Sequence, residues 1–255
     1  MRNELKLLAL RGFPVVEPGD DLVKLIFASV LQNGFTIANG DLLVIAQKIV
    51  SKSENRYARL AEVVPSEQAI ELAPQVDKDP RLVELILRES TAVLRTRPGA
   101  LIVRHRNGYV HANAGIDQSN ITSDPDNPRV LLLPYDPDAS AKKLRDGIAE
   151  HGGINVAVII NDSAGRAWRR GVIGFALGTA GFVTLENRIG EHDLFGRPLQ
   201  ITEVAVADEL AAAASHLMGQ AAEGTPVVVI RGANLNPSPA GSGDLIRPTE
   251  QDLFQ

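Results

Sequence analysis

An Asn107-Gly108 pair near the middle of the chain constrains the fold more than any other feature. It is preceded by Leu101-Ile102-Val103-Arg104-His105-Arg106 and followed by Tyr109-Val110-His111-Ala112. A turn that asks for positive φ between two alternating segments specifies adjacent antiparallel strands. Doubly wound sheets join their strands through helices, so a central hairpin breaks that pattern. Further strand patterns at 42–46, 130–133, 155–160 and 227–230 are mixed with helical ones without a regular βαβ repeat. The expected class is α+β. At 255 residues the chain can bury a large core without staples, and it is read as a single domain, 1–255, without internal repeats.

Local signals place the elements. Asp20 or Asp21 caps a helix in which Leu22, Leu25, Ile26, Ser29 and Val30 recur at helical spacing, stopped by Gly34. Leu42-Leu43-Val44-Ile45-Ala46 reads as a buried strand, and Gln47-Lys48-Ile49-Val50-Ser51-Lys52 then leaves the core for solvent. Helices are expected over 66–72 and 80–88, separated by Pro74 and Asp77-Lys78-Asp79. Another runs from Pro137 to Gly152-Gly153. An alanine-rich helix covers 203–218, with Thr202 as a weak cap. The strand at 155–160 ends in Asn161-Asp162-Ser163, and four glycines between 171 and 182 mark a strand closely approached by other backbone. The Gly- and Pro-rich stretch at 232–243 reads as a mobile loop tied down by Leu253-Phe254.

Composition removes several chemistries. There is no cysteine, hence no disulfide, thiolate nucleophile or cysteine-held metal centre. A net charge of -5 offers no basic face for nucleic acid, and no apolar run is long enough to span a membrane. Cytoplasmic localisation is expected. No phosphate-loop motif, Gly-x-Gly-x-x-Gly or Gly-x-Ser-x-Gly elbow is present. The five histidines sit at no metal-binding spacing.

Polar clusters at the ends of apolar strands remain. In Ala112-Asn113-Ala114-Gly115-Ile116-Asp117-Gln118-Ser119-Asn120, Asp117 and Asn120 offer oxygen ligands to a hard divalent cation, or simply form an Asx-type turn. Asp162 and Ser163 follow an apolar strand in the way Mg2+ ligands do in phosphoryl-transfer sites, or cap a helix. Convergence of Asp117 and Asp162 on one metal is a hypothesis at this level. Arg166, Arg169 and Arg170 flank the single Trp168 and suit an anionic ligand, structural ion pairs or nucleic acid. Lys52 with Gln47 and Ser51 forms a lesser patch. Asp208 and Glu209 fit a helix N-terminus, and Asp193 and Arg197 flank a loop.

In this order the clusters resemble the coenzyme F420-0:L-glutamate ligase family. The matching strings are Val44-Ile45-Ala46-Gln47-Lys48-Ile49-Val50-Ser51-Lys52-Ser53-Glu54, the 112–120 cluster, and Asp162-Ser163-Ala164-Gly165-Arg166-Ala167-Trp168-Arg169. Asp208-Glu209-Leu210-Ala211-Ala212-Ala213, Arg247-Pro248 and Asp252-Leu253-Phe254 join them. The resemblance runs from about Leu10 to Phe254. It implies a GTP-dependent ligase that adds L-glutamate to the lactyl phosphodiester tail of the deazaflavin precursor F420-0 through an acyl phosphate, releasing GDP and phosphate. It also implies an unusual α+β fold, an intertwined homodimer, and Mg2+ or Mn2+, with K+ as a further candidate ion.

Carried over by motif, Asp117, Asp162 and Ser163 are metal ligands. Leu10, Arg11, Gly12, Phe13, Gln47, Lys52 and Asn120 contact the nucleotide, and the segment from Arg231 and Gly232 onward closes over it. Arg166, Trp168 and Arg169 hold the acceptor, and Asp117, Asp162, Arg166 and Arg169 carry the catalysis. The chain departs from the family at Leu10-Arg11-Gly12, where a proline usually precedes the glycine. It departs again at His111, usually cysteine, at Asn161, usually serine, and at Gly171-Val172-Ile173-Gly174-Phe175, usually polar. That last change leaves open an amino-acid ligase for another carboxylate, such as a pterin or folate-like cofactor. A non-catalytic nucleotide-sensing or scaffold protein on the same fold is the other alternative.

Overall fold

The computed structural model describes residues 4–253. Its central sheet has five strands in the order β1 (Lys6–Ala9), β12 (Val227–Arg231), β2 (Leu42–Ala46), β8 (Ala157–Arg166) and β9 (Arg169–Ala180). Only β2 and β8 run parallel, with Leu42 opposite Ala157 and Ala46 opposite Asn161. The inner strands are apolar on both faces because both are covered. Leu43, Ile45, Val158, Ile160, Val227 and Val229 share a core with α1 (Leu22–Gln32) and α5 (Pro137–Gly152). Leu42, Val44, Ile159, Val228 and Ile230 pack on α6 (Val206–Met218).

A second layer has its own core. The sheet of β4 (Ser90–Arg97), β5 (Ala100–His105) and β6 (Val110–Ala112) buries Leu101 and Val103 against α3 (Glu67–Val76) and α4 (Pro80–Arg88). Two small ladders complete the fold: β3 (Tyr57–Arg59) with β7 (Arg129–Leu131), and β10 (Glu186–Asn187) with β11 (Glu203–Val204). The helix starts follow capping chemistry. Asp21 accepts from the Val23 and Lys24 amides, while Asp79 and Asp136 cap helices that begin with Pro80 and Pro137. Among the described residues no helix is long and apolar enough to cross a membrane.

The mixed α+β reading holds, and several local readings are corrected. Residues 47–52 do not leave the core: α2 (Gln47–Ser53) buries Gln47, Ile49, Val50 and Ser51. Its two buried polar side chains satisfy each other, Ser51 Oγ donating to Gln47 Oε1 at 3.0 Å. Nor does β8 end at Asn161-Asp162-Ser163, because β9 continues to pair with it as far as Arg166–Arg169. Helix α3 runs through Pro74 to Val76; the missing amide concerns only the last turn, on its exposed side. At Asn107-Gly108 only Gly108 has positive φ, 98°. The segment read as one helix from 203 begins as β11, and Ala205 caps α6 without a side-chain bond. Leu253 is exposed, and Phe254 lies outside the described residues. The 232–243 stretch is pinned instead by Ser242, whose amide donates to Asp138 and whose hydroxyl donates to the Leu177 carbonyl.

Candidate functional site

Where β2 gives way to α2, its parallel neighbour β8 continues for five more residues, so its edge is open beyond the carboxyl end of β2. Ligand crevices form at such carboxyl ends in sheets with parallel strands. Here the gap is a cavity of about 570 Å3. Phe13 enters from the turn after β1, Gln47, Lys48 and Lys52 from α2, Asn120 from the loop after β6, and Asp162 and Ser163 from β8. The segment 218–225, which follows α6, closes another side.

The Asn113-Ala114-Gly115 turn places Asp117 behind the cavity wall, against Gln47 and Lys48, rather than among its lining residues. All three residues have positive φ (53°, 53° and 68°), and Ala114 is fully buried. A Cβ on Gly115 would lie 2.6 Å from Leu133 Cδ1 in a left-handed conformation, so glycine is required. The turn delivers Asp117 into a reciprocal backbone bridge with Leu131, both bonds 2.9 Å. Its carboxylate accepts from Ser119 Oγ at 3.1 Å and Gln47 Nε2 at 3.3 Å, with Lys48 Nζ at 3.2 Å. Burial pushes this carboxyl above the usual range and the charge of Asp162 adds to the push, against Lys48 and Ser119.

Asp162 is held differently. Its Oδ2 lies 3.2 Å from His111 Nε2, while His111 Nδ1 lies 3.0 Å from the Ala112 carbonyl. Both partners are acceptors when Asp162 is ionised, so the imidazole donates from both nitrogens. Burial opposes that cation, but the Asp162 carboxylate and the Ala112 carbonyl outweigh it and raise the His111 pKa. Phe175 and Tyr109 flank the ring, centroids 5.7 and 6.5 Å away.

The nucleotide candidates divide. Lys52 Nζ donates to the Asn120 carbonyl at 2.8 Å, and Asn120 Nδ2 donates to the Ala221 carbonyl at 3.0 Å, tying three walls together. Burial lowers the Lys52 pKa, helped by Lys48 and Arg129 and opposed by Glu17 and Asp117. Leu10 is buried in the core, so its backbone is the part the turn offers; Gly12 has φ 67°, and the Arg11 amide donates to Asn33. Arg231 and Gly232 are not brought to the cavity. Antiparallel pairing of β12 with β2 carries Arg231 to the other end of the sheet, where it grips Asp41 at 2.7 and 2.8 Å.

Arg166, Trp168 and Arg169 occupy the tip of the β8–β9 arm. Arg166 lies four residues beyond Asp162, about 13 Å along a strand. Trp168 is 88% exposed. The apolar 172–175 stretch does not line the cavity. Phe175 packs on His111, and Gly174 is dictated by α6, since a Cβ there would lie 2.4 Å from Ser215 Cβ. By alternation Asp162 and Ser163 point to opposite faces of β8, but both border the cavity at its open edge.

Sequence reading missed Lys48 as the ion partner of Asp117 and the 218–225 segment as a wall. The available signal for the latter was Gly219 and Gly224, both with positive φ, between an alanine-rich helix and a buried strand. Among the described residues no three His, Asp or Glu side chains gather as a ready metal cluster. Two carboxylates near enough that Asp162 opposes the ionisation of Asp117 nevertheless suit a cation completed by ligand oxygens.

The family model described as F420-0:Gamma-glutamyl ligase matches residues 12–232. The chain is 45% identical over 254 residues to the coenzyme F420:L-glutamate ligase of Methanothermobacter thermautotrophicus, covering 98% of this chain and 99% of that protein. It is 46% identical over 255 residues to the Methanococcus maripaludis protein of the same name, covering 100% and 98%. Identity to the Haloarcula marismortui counterpart is 39% over 257 residues, with 98% and 96% covered.

Proposed function

The chain belongs to the F420-0:gamma-glutamyl ligase family, and from that premise we propose that it joins L-glutamate to F420-0 at the expense of GTP, with Mg2+ or Mn2+. The observation that carries the reading is that Asp162, Gln47, Lys52 and Asn120 line one cavity, with Asp117 directly behind its wall, bonded to Gln47 and paired with Lys48. An amide needs an activated carboxylate. Attack of the precursor's terminal carboxylate on the γ-phosphate of GTP gives an acyl phosphate and GDP; the glutamate amine then displaces phosphate. This route uses no protein nucleophile, consistent with a chain lacking cysteine.

Asp117 and Asp162, with the Ser163 hydroxyl at the open strand edge, would hold the divalent metal. Bound there, it supplies charge neutralisation of the phosphates. Lys52 and Asn120 hold the nucleotide from the α2 and 218–225 sides, Gln47 orients Asp117, and the 10–13 turn offers backbone groups. Arg166, Trp168 and Arg169 are read as an outer contact for the acceptor, placed away from the phosphoryl centre by the length of the arm. The arm exposes Trp168 and Val172, and the loop between β10 and β11 exposes Leu194 and Phe195. An intertwined homodimer covers such a surface. Sedimentation should then give twice the 27.3 kDa chain mass.

The test is phosphate release from GTP with Mg2+ or Mn2+, L-glutamate and F420-0, read alongside product mass. Release that requires F420-0 and yields a glutamylated product is expected. Tight GTP binding without phosphate or adduct would show that the acceptor is another carboxylate.

A further inference from the structure

Building on the metal site read above, we propose that His111 is a positioning residue for Asp162, fastening one carboxylate oxygen so that the other faces the cavity as a one-oxygen ligand. Of the two Asp162 oxygens, Oδ2 is taken by His111 at 3.2 Å. Among the described residues Oδ1 accepts no hydrogen bond, and it is not among the buried atoms left without a partner, so it is open on the side of the cavity that Asp162 lines.

Three features make His111 a rigid holder. Its Nδ1 is anchored on the Ala112 carbonyl at 3.0 Å, its ring packs in a three-ring cluster with Phe175 and Tyr109, and it is 9% exposed. Its backbone is fixed in β6 opposite Val103, in a different sheet from Asp162. The side chain therefore ties the carboxylate on β8 to a strand of the second sheet. Asp117 has no such holder. Its oxygens are bonded by Ser119, two residues along the same loop, and by Gln47 and Lys48 of the cavity wall. The two acids are thus unequal: Asp162 leaves one oxygen toward the cavity, while Asp117 has both oxygens engaged by Ser119, Gln47 and Lys48.

The test measures Mn2+ binding in the presence of GDP, which cannot turn over, by electron paramagnetic resonance. The proteins compared are the unaltered one, Asp162→Asn, His111→Phe and His111→Gln. Phenylalanine keeps ring packing and removes both donors; glutamine keeps a donor and loses the ring. Groups that orient a metal ligand typically change affinity about 10- to 100-fold. His111→Phe is expected to weaken Mn2+ by that amount, while His111→Gln stays within about threefold of the unaltered protein. A purely structural role would lower the melting temperature of both variants and leave Mn2+ affinity intact. If His111→Phe does not fold, His111→Leu carries the same prediction. Unchanged Mn2+ affinity in a folded donorless variant, with Asp162→Asn clearly weakened, overturns the positioning role alone. If Asp162→Asn binds Mn2+ like the unaltered protein, or neither binds it, the metal-site reading falls and the positioning role with it.

Discussion

Asp162 lines the cavity from a strand arm and Asp117 stands behind its Gln47–Lys48 wall from a loop, each with its charge already partly answered, by His111 and by Lys48. That arrangement keeps two largely buried carboxylates tolerable before ligand binds, and a divalent cation held by them, as proposed, would add to it. Asp117→Asn and Asp162→Asn should each reduce GTP-dependent phosphate release at least about a hundredfold, the scale of losing one electrostatic contact to a transition state. Circular dichroism should remain that of the unaltered protein; activity within threefold in either variant would contradict the assignment. Asp117, Asp162, Asn120 and Lys52 were legible in the sequence because oxygen-rich or cationic side chains punctuate apolar runs there. Their mutual contacts were not legible, since Gln47 and Asp117 are 70 residues apart and only the fold brings them together. The departure at 172–175 gained its explanation only from packing: Gly174 faces α6 and Phe175 faces His111.

Helix α5 begins directly on β9. A Cβ on Gly178 would lie 2.3 Å from the backbone carbonyl of Pro137, which is fixed as the first residue of that helix. Gly178→Ala should therefore destabilise the protein by about 1–3 kcal/mol, as overpacking does. Gly165→Ala on the same hairpin, where a Cβ meets nothing within 4 Å, should be nearly neutral. Urea denaturation of the pair checks this, and equal midpoints would show that β9 shifts freely. The elements that were readable in advance are those with one dominant signal, such as the doubly buried runs of β2, β8 and β12 or the capped helices. Strand β4 was not, because Ser90–Arg97 is charged and largely exposed and owes its form to pairing with β5. Helix α2 was hidden by its polar residues, and the outer half of β8 by small ones that gain strand form only from β9.

Across the whole molecule, Glu89 at the end of α4 joins distant parts of the second layer. It pairs with Arg56 and Arg106, each at 3.1 Å, and faces His105 Nε2 at 3.6 Å. Burial works to raise the Glu89 pKa, but His105, Arg106 and Arg56 together bring it below the usual value; burial lowers that of His105 despite Glu89. Both folded values are depressed, so both groups contribute stability that is present above their unfolded pKa values and lost as pH falls. Denaturant midpoints should decline below about pH 6.5 and more steeply below about 4.5. Glu89→Gln, which leaves two half-buried guanidinium groups without a counter-charge, should cost about 3 kcal/mol at neutral pH and flatten the acid limb. An unchanged profile in the variant would remove Glu89 as its source. The central claim, that this cavity activates the precursor's carboxylate with the γ-phosphate of GTP, is tested most directly with F420-0 labelled by 18O in that carboxylate. One labelled oxygen should appear in each phosphate released with glutamylated product. Phosphate free of label, with one labelled oxygen kept in the amide and the other lost to water, would contradict it.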